Sequence, residues 1–276
     1  MAALTPTSSS PRRPERAPWP WWLVTIVFLG VAGLASALSS PKSRVIFEVT
    51  LSGVGITVLV AVIAYLISLV LGLGLALLKS SAWRLVREAA TFYIELMRGL
   101  PMLVILYYIA FVATPVLAGI LNVVLYPLQA LGWMEPLSAR NIDFTTRAVT
   151  ALTLGYSAFL AEVFRAGIES VDKGQTEAGL ALGMSRWHTL RHIVLPQMLR
   201  NVLPALVNES VAMVKDSSLV SVLGVQDITQ MGKVYAASTF QFFETYNAVA
   251  FFYLCLTISL SLAARVLEQR LGRSRR

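Results

Sequence analysis

Charge is scarce in this sequence. Only 14% of its 276 residues are Asp, Glu, Lys or Arg, where a soluble domain usually carries about 25%. Cysteine is nearly absent. Cys255 stands alone inside an apolar run, which excludes a disulfide framework and a cysteine-ligated metal cluster. A phosphate-binding loop is missing as well. Such a loop needs G-x-x-x-x-G-K-[ST], and the Gly232-Lys233 pair has Asp227 in place of the first glycine and Val234 in place of the hydroxyl. The two histidines, His188 and His192, stand one helical turn apart. Thr189 occupies the position where a zinc-protease motif has Glu, and no third ligand lies nearby. They are read as a solvated helix face, and no metal or cofactor is expected on this chain.

Apolar residues are abundant, at 56%. They fall into runs far longer than one soluble core could use. Windows of about 20 residues predict an all-α, polytopic membrane helical bundle of about six spans, near 19–38, 50–78, 96–121, 148–168, 202–222 and 246–266. The fifth is the weakest, because Pro204, Asn208, Glu209, Lys215 and Asp216 interrupt it. The first has a rival reading. Arg12, Arg13 and Arg16 ahead of an apolar run that ends near Ala35-Ser36-Ala37 also fit a cleavable signal peptide. Its length and its opening tryptophans favour a retained span. Residues 1–18, rich in Pro, Ser and Arg, read as a disordered tail. Residues 122–147 read as a long, partly apolar outer loop.

Orientation follows from the basic residues. With six spans, 17 of the 23 Lys and Arg fall on the side of both termini and five on the other, with Lys215 inside a span. Basic residues are retained in the cytoplasm. Both termini and the loop 170–197 are therefore expected there, in a plasma (inner) membrane. The same bias accounts for the net charge of +8 without a nucleic-acid partner.

That loop contains the most polar writing in the chain, EAGLALGMSRWHTLRHIVLP at 177–196. Residues 174–182 predict a short helix of small residues. Gly183 suits a left-handed turn that a Cβ would resist. Ser185 suits the N-cap of a second helix from Arg186 to Val194, closed by Pro196. A helix–turn–helix bracket results, open to close approach by another protein.

At these residues the chain resembles a family. Glu177-Ala178-Gly179, Gly183 and the Ile193-Val194-Leu195-Pro196 ending look like the EAA signature of ABC importer permeases, with Gly179 standing where that signature has Ala. The stretches YIELMRGLPMLVILYYI (93–109), FLAEVFRAGIESVDKGQTEAGLALGMSRW (159–187), LPQMLRNVLPALVNES (195–210) and KDSSLVSVLGVQDIT (215–229) resemble the polar amino acid permeases that import histidine, glutamine, arginine or glutamate. The resemblance runs from about Val49 to the C-terminus. It implies a five-span permease domain, 49–276, to which residues 19–48 add a span and linker.

The resemblance also implies partners: a cytoplasmic ABC ATPase that binds ATP-Mg, a second permease subunit in a homodimer or heterodimer, and an extracytoplasmic amino acid-binding protein. Glu177, Ala178, Gly179 and Gly183, with Leu195 and Pro196 closing the motif, would couple the chain to the ATPase. An ordinary loop, a passive channel and an intramembrane enzyme are the competing readings. The sequence offers no catalytic set for the enzyme, and the channel would leave the bracket without purpose.

Ionisable residues at membrane depth are costly and face a bundle interior or a wet cavity. Glu95 and Arg98, three residues apart, are expected to form a structural ion pair. Glu162 and Arg165 repeat that spacing. In the resembled family the Glu matching Glu162 has been linked to cationic substrates, so Glu162 and Arg165 are candidates for the substrate pathway. Asn208, Lys215 and Asp216 are further candidates, with a Lys215–Asp216 salt bridge as the alternative. Gly53, Gly55, Gly72 and Gly74 read as close helix packing in the second span.

Overall fold

In the computed structural model, the described residues are Gly30, Gly33, Ala35 and 40–272, with side chains through Val266. The tail 1–18 and the candidate span 19–38 therefore lie essentially outside the described residues. Helices follow one another along the rest, and no strand occurs among the described residues. In chain order they are α1 (Pro41–Ser52), α2 (Val54–Lys79), α3 (Arg84–Gly99), α4 (Met102–Tyr108), α5 (Thr114–Ala130), α6 (Phe144–Glu169), α7 (Lys173–Ala181), α8 (Arg186–Thr189), α9 (Leu195–Asp216), α10 (Ile228–Thr239) and α11 (Phe242–Gly272). Two π turns, Ile109–Ala113 and Leu190–Val194, join α4 to α5 and α8 to α9 without ending the helical path.

Among the described residues, three helical runs are long and apolar enough to cross a membrane: Pro41–Lys79, Met102–Ala130 and Phe242–Val266. Two further expected spans correspond to α6, of 26 residues, and α9, of 22. Both are of spanning length at about 1.5 Å per residue, yet more polar. The reason for α6 is its position. It buries Ala148, Ala151, Gly155, Ser157, Ala158 and Ala161 against its neighbours. A helix enclosed by other helices needs small residues more than greasy ones.

Its main partner is α2. A Cβ at Gly72 would come within 2.8 Å of Leu160 Cβ and 3.1 Å of Ala161 N, so the glycine sets how close these helices lie. Ser68 Oγ donates across the same seam to Thr153 O at 3.1 Å. Around it, Val60, Ala64, Leu106, Leu152, Tyr156 and Met213 form the main buried cluster. Gly53 is equally tight against the backbone of Asp227, whereas Gly55 and Gly74 face open space and do not serve the packing expected of them.

Two boundaries differ from expectation for identifiable reasons. The span expected at 96–121 is broken at Leu100-Pro101. Leu100 is extended, with φ −99° and ψ 139°, because the ring of a following proline clashes with helical backbone before it. Glu95 and Arg98 thus belong to α3, a separate amphipathic helix that buries Ala90 and Ile94. The loop expected over 122–147 is helical as far as Ala130. Asn122 then ties the remainder back: its Nδ2 donates to Leu137 O at 2.8 Å and its Oδ1 accepts from Leu137 N at 2.7 Å.

Candidate coupling loop and polar cavity

The bracket forms where the sequence places it. Asp172 caps α7, its Oδ1 accepting from Gly174 N at 2.6 Å. At the other end Gly183 takes φ +80°, a conformation that L side chains resist. Met184 N donates to Gly179 O at 3.1 Å and Gly183 N to Leu180 O at 3.0 Å, the paired bonds that close a helix through a left-handed residue. Ser185 Oγ accepts from His188 N at 3.3 Å and so starts α8. His188 and His192 stack with ring centroids 5.5 Å apart on an exposed face. No cluster of three or more metal-ligating side chains occurs among the described residues.

Two details of the bracket correct the sequence reading. Pro196 does not end the second helix. The π turn at Leu190–Val194 lets the helix continue, and Pro196 sits in the first turn of α9, where a missing N–H costs little. Gly179 is buried, and a Cβ there would meet Ile193 Cδ1 at 2.8 Å and Thr189 Cγ2 at 3.0 Å. It faces the α8–α9 rod and shapes the bracket from within. The outward face carries Glu177, Ala178, Ala181 and Leu182, the last 83% exposed. Leu195 is half-buried and Pro196 exposed.

Beside the bracket, α6 and α9 line an open cavity of about 530 Å³. Its lining includes Arg98, Glu162, Arg165, Ser170, Asn201 and Glu209. Glu162 accepts from Lys79 Nζ at 2.6 Å and from Arg165 Nε at 2.8 Å. Arg165 also reaches Glu169 at 2.6 Å through Nη1. The expected Glu95–Arg98 pair does not form. Both residues are exposed, and the Arg98 guanidinium instead lies over the Phe159 ring, 5.9 Å from its centroid. The break at Pro101 ends α3 next to α6 and turns this arginine toward the cavity.

Lys215 and Asp216 do not pair with each other either. Asp216 accepts from the Tyr156 hydroxyl at 2.8 Å, and Lys215 is exposed. Asn201, Asn208 and Lys215 recur every seven residues on the exposed side of α9, which aligns them in one stripe. Sequence reasoning missed Lys79, Asn201, Glu209 and Tyr156 as parts of this region. Lys79 was counted only as a topology charge. The seven-residue spacing of the asparagines was the available signal for Asn201.

Residues 68–273 match the family described as the binding-protein-dependent transport system inner membrane component. The chain belongs to this family. It is a membrane transport component, and ATP hydrolysis is the work of a separate subunit. Curated relatives agree. The chain is 34% identical over 221 residues to the glutamine transport system permease protein GlnP of Escherichia coli, covering 80% of this chain and 92% of that protein. It is 33% identical to the arginine transport system permease protein ArtQ of Bacillus subtilis, covering 80% and 91%. Among solved structures, the crystal structure of an amino acid ABC transporter with histidines superposes with a TM-score of 0.68 at 34% identity, covering 84% of this chain and 97% of that one. The inward-facing MetNI methionine ABC transporter, at 16% identity and a TM-score of 0.63, shares the fold.

Proposed function

We propose that this permease carries a polar amino acid across the inner membrane, driven by a cytoplasmic ABC ATPase seated on α7. The supporting observation is the bracket's division of labour. Gly179 pins the helix to the α8–α9 rod, while Ala178 and Leu182 remain outside with no described residue covering them. A stiff knuckle with a free apolar face passes a partner's rigid-body motion to the spans. ATP-Mg binds on that partner, and an extracytoplasmic binding protein delivers the amino acid.

The stripe of Asn201, Asn208 and Lys215 faces a second permease subunit or the pathway between the two. Polar side chains at membrane depth avoid lipid, and this stripe is exposed on the single chain. The Lys and Arg bias supports placing both termini and the bracket in the cytoplasm. No observation favours the channel or enzyme readings.

The test is Gly183→Val. A β-branched residue at positive φ is strained and would distort the turn behind α7. The variant is expected to insert normally but to lose amino acid uptake and substrate-stimulated ATP hydrolysis in proteoliposomes. Retention of both would remove the coupling role. Orientation is read separately by maleimide labelling of Leu182→Cys in a Cys255→Ser background, with access expected from the cytoplasmic side.

A further inference from the structure

The charges around the cavity carry information on the class of substrate, given the reading of the chain as an amino acid permease. Lys79, Glu162, Arg165 and Glu169 form one continuous chain of ion pairs, at 2.6, 2.8 and 2.6 Å. It holds two cations and two anions and is balanced within itself. Glu162 lines the cavity, but both its carboxylate oxygens are engaged, one by each cation. It has no charge left to offer a ligand.

Two ionisable groups remain on the cavity wall. Arg98 rests against the Phe159 ring and makes no ion pair among the described residues. Glu209 is half-buried and likewise has no ion-pair partner among them. One uncompensated cation and one uncompensated anion sum to zero. A net charge at membrane depth is costly unless matched. The ligand that satisfies both groups and leaves no surplus is a zwitterion whose side chain is uncharged.

We propose that Lys79 is a specificity-determining residue. By neutralising Glu162 it restricts the cavity to amino acids with uncharged polar side chains, the α-carboxylate on Arg98 and the α-ammonium on Glu209. Ser170 and Asn201, joined by a 3.0 Å hydrogen bond from Asn201 Nδ2 to Ser170 Oγ, supply polar contacts for the side chain. Without Lys79 the same cavity carries a surplus negative charge and suits a cationic amino acid.

The experiment is calorimetric titration of the purified permease–ATPase complex, without binding protein, with free glutamine, arginine and glutamate. The wild type is expected to bind glutamine at least tenfold more tightly than the other two. Lys79→Met should shift the arginine-to-glutamine ratio at least tenfold toward arginine, and Lys79→Arg should leave it unchanged. Glu209→Gln, on another helix, should shift the ratio toward glutamate. The proposal is overturned if the wild type binds none of the three, if it prefers arginine, or if either charge-removing variant leaves the ratios where they were. Should Lys79→Met not assemble, the Glu209→Gln result decides alone. ATP-driven uptake by the wild type with its binding protein is measured in parallel. Uptake of any amino acid upholds the transport reading whatever the calorimetric order, and no uptake removes it.

Discussion

The two ends of the bundle hold their charges in opposite ways. At the end away from the bracket, Arg147 is only 8% exposed. Its Nε donates to Ile142 O at 3.0 Å, its Nη1 to Ala110 O at 2.8 Å and its Nη2 to Ala139 O. The guanidinium also lies over Phe144, 4.7 Å from the ring centroid. Asp227, fully buried, accepts from Gln230 N at 2.8 Å and from the Tyr253 hydroxyl at 3.0 Å. Neither ion has an ionic partner among the described residues, and both are satisfied by backbone and hydroxyl groups. At the bracket end the ions pair with one another, and Arg98 and Glu209 face a cavity with room left over. A buried ion saturated by its own fold fixes structure. An ion left open toward a cavity is available for a ligand.

Removing ions from the saturated end should therefore cost stability and leave selectivity alone. The largest effect is expected from Arg147→Met, which deprives three carbonyls of a charged donor. A loss of about 3 kcal/mol, at the upper end for bonds to a charged group, should appear as a lowered thermal midpoint in detergent, with the order of amino acid affinities unchanged. A shift in that order would erase the contrast between the ends. Tyr156→Phe, between the two ends, removes one hydroxyl from Asp216. It should cost about 2 kcal/mol by the same measurement, and a change in uptake beyond that loss would extend the functional region toward Asp216.

The smallest effect belongs to Asp143, the exposed N-cap of α6. Its carboxylate accepts from Thr145 N at 3.1 Å and Thr146 N at 3.3 Å, and from the Thr146 hydroxyl. Asp143→Ala should cost about 1 kcal/mol. The Thr146 hydroxyl bond, above all, holds this carboxyl below its ordinary range. The cap's contribution is then full above the ordinary aspartate range and is lost as pH falls through the lowered value. The difference in midpoint between wild type and variant should shrink on acidification; a difference independent of pH would mean the cap works without its charge.

Much of the bracket was legible because its signals are local. Gly183 and Ser185 act through bonds to residues three positions away, and the sequence prints those neighbours. The cavity was less legible. Lys79 meets Glu162 across 83 positions, and nothing in either segment announces the other. The expected Glu95–Arg98 pair failed for a related reason. Spacing of three on a helix permits an ion pair, and both residues do share α3, but there Arg98 lies over the aromatic face of Phe159, a residue 61 positions away. Hydropathy alone overlooked why α6 is polar, since enclosure by neighbours is a property of the fold and not of the window.

The π turn at Leu190–Val194 has a mechanical result. Because the helical path does not stop at Pro196, the chain from Arg186 to Asp216 runs as one continuous helical path, roughly 45 Å long at about 1.5 Å per residue, with Pro204 inside it. A tilt of about 5° applied at its bracket end would carry its distant tip sideways by up to about 4 Å on that length, comparable to the width of a side chain. A hinge at the proline would have absorbed that stroke before it reached the interior.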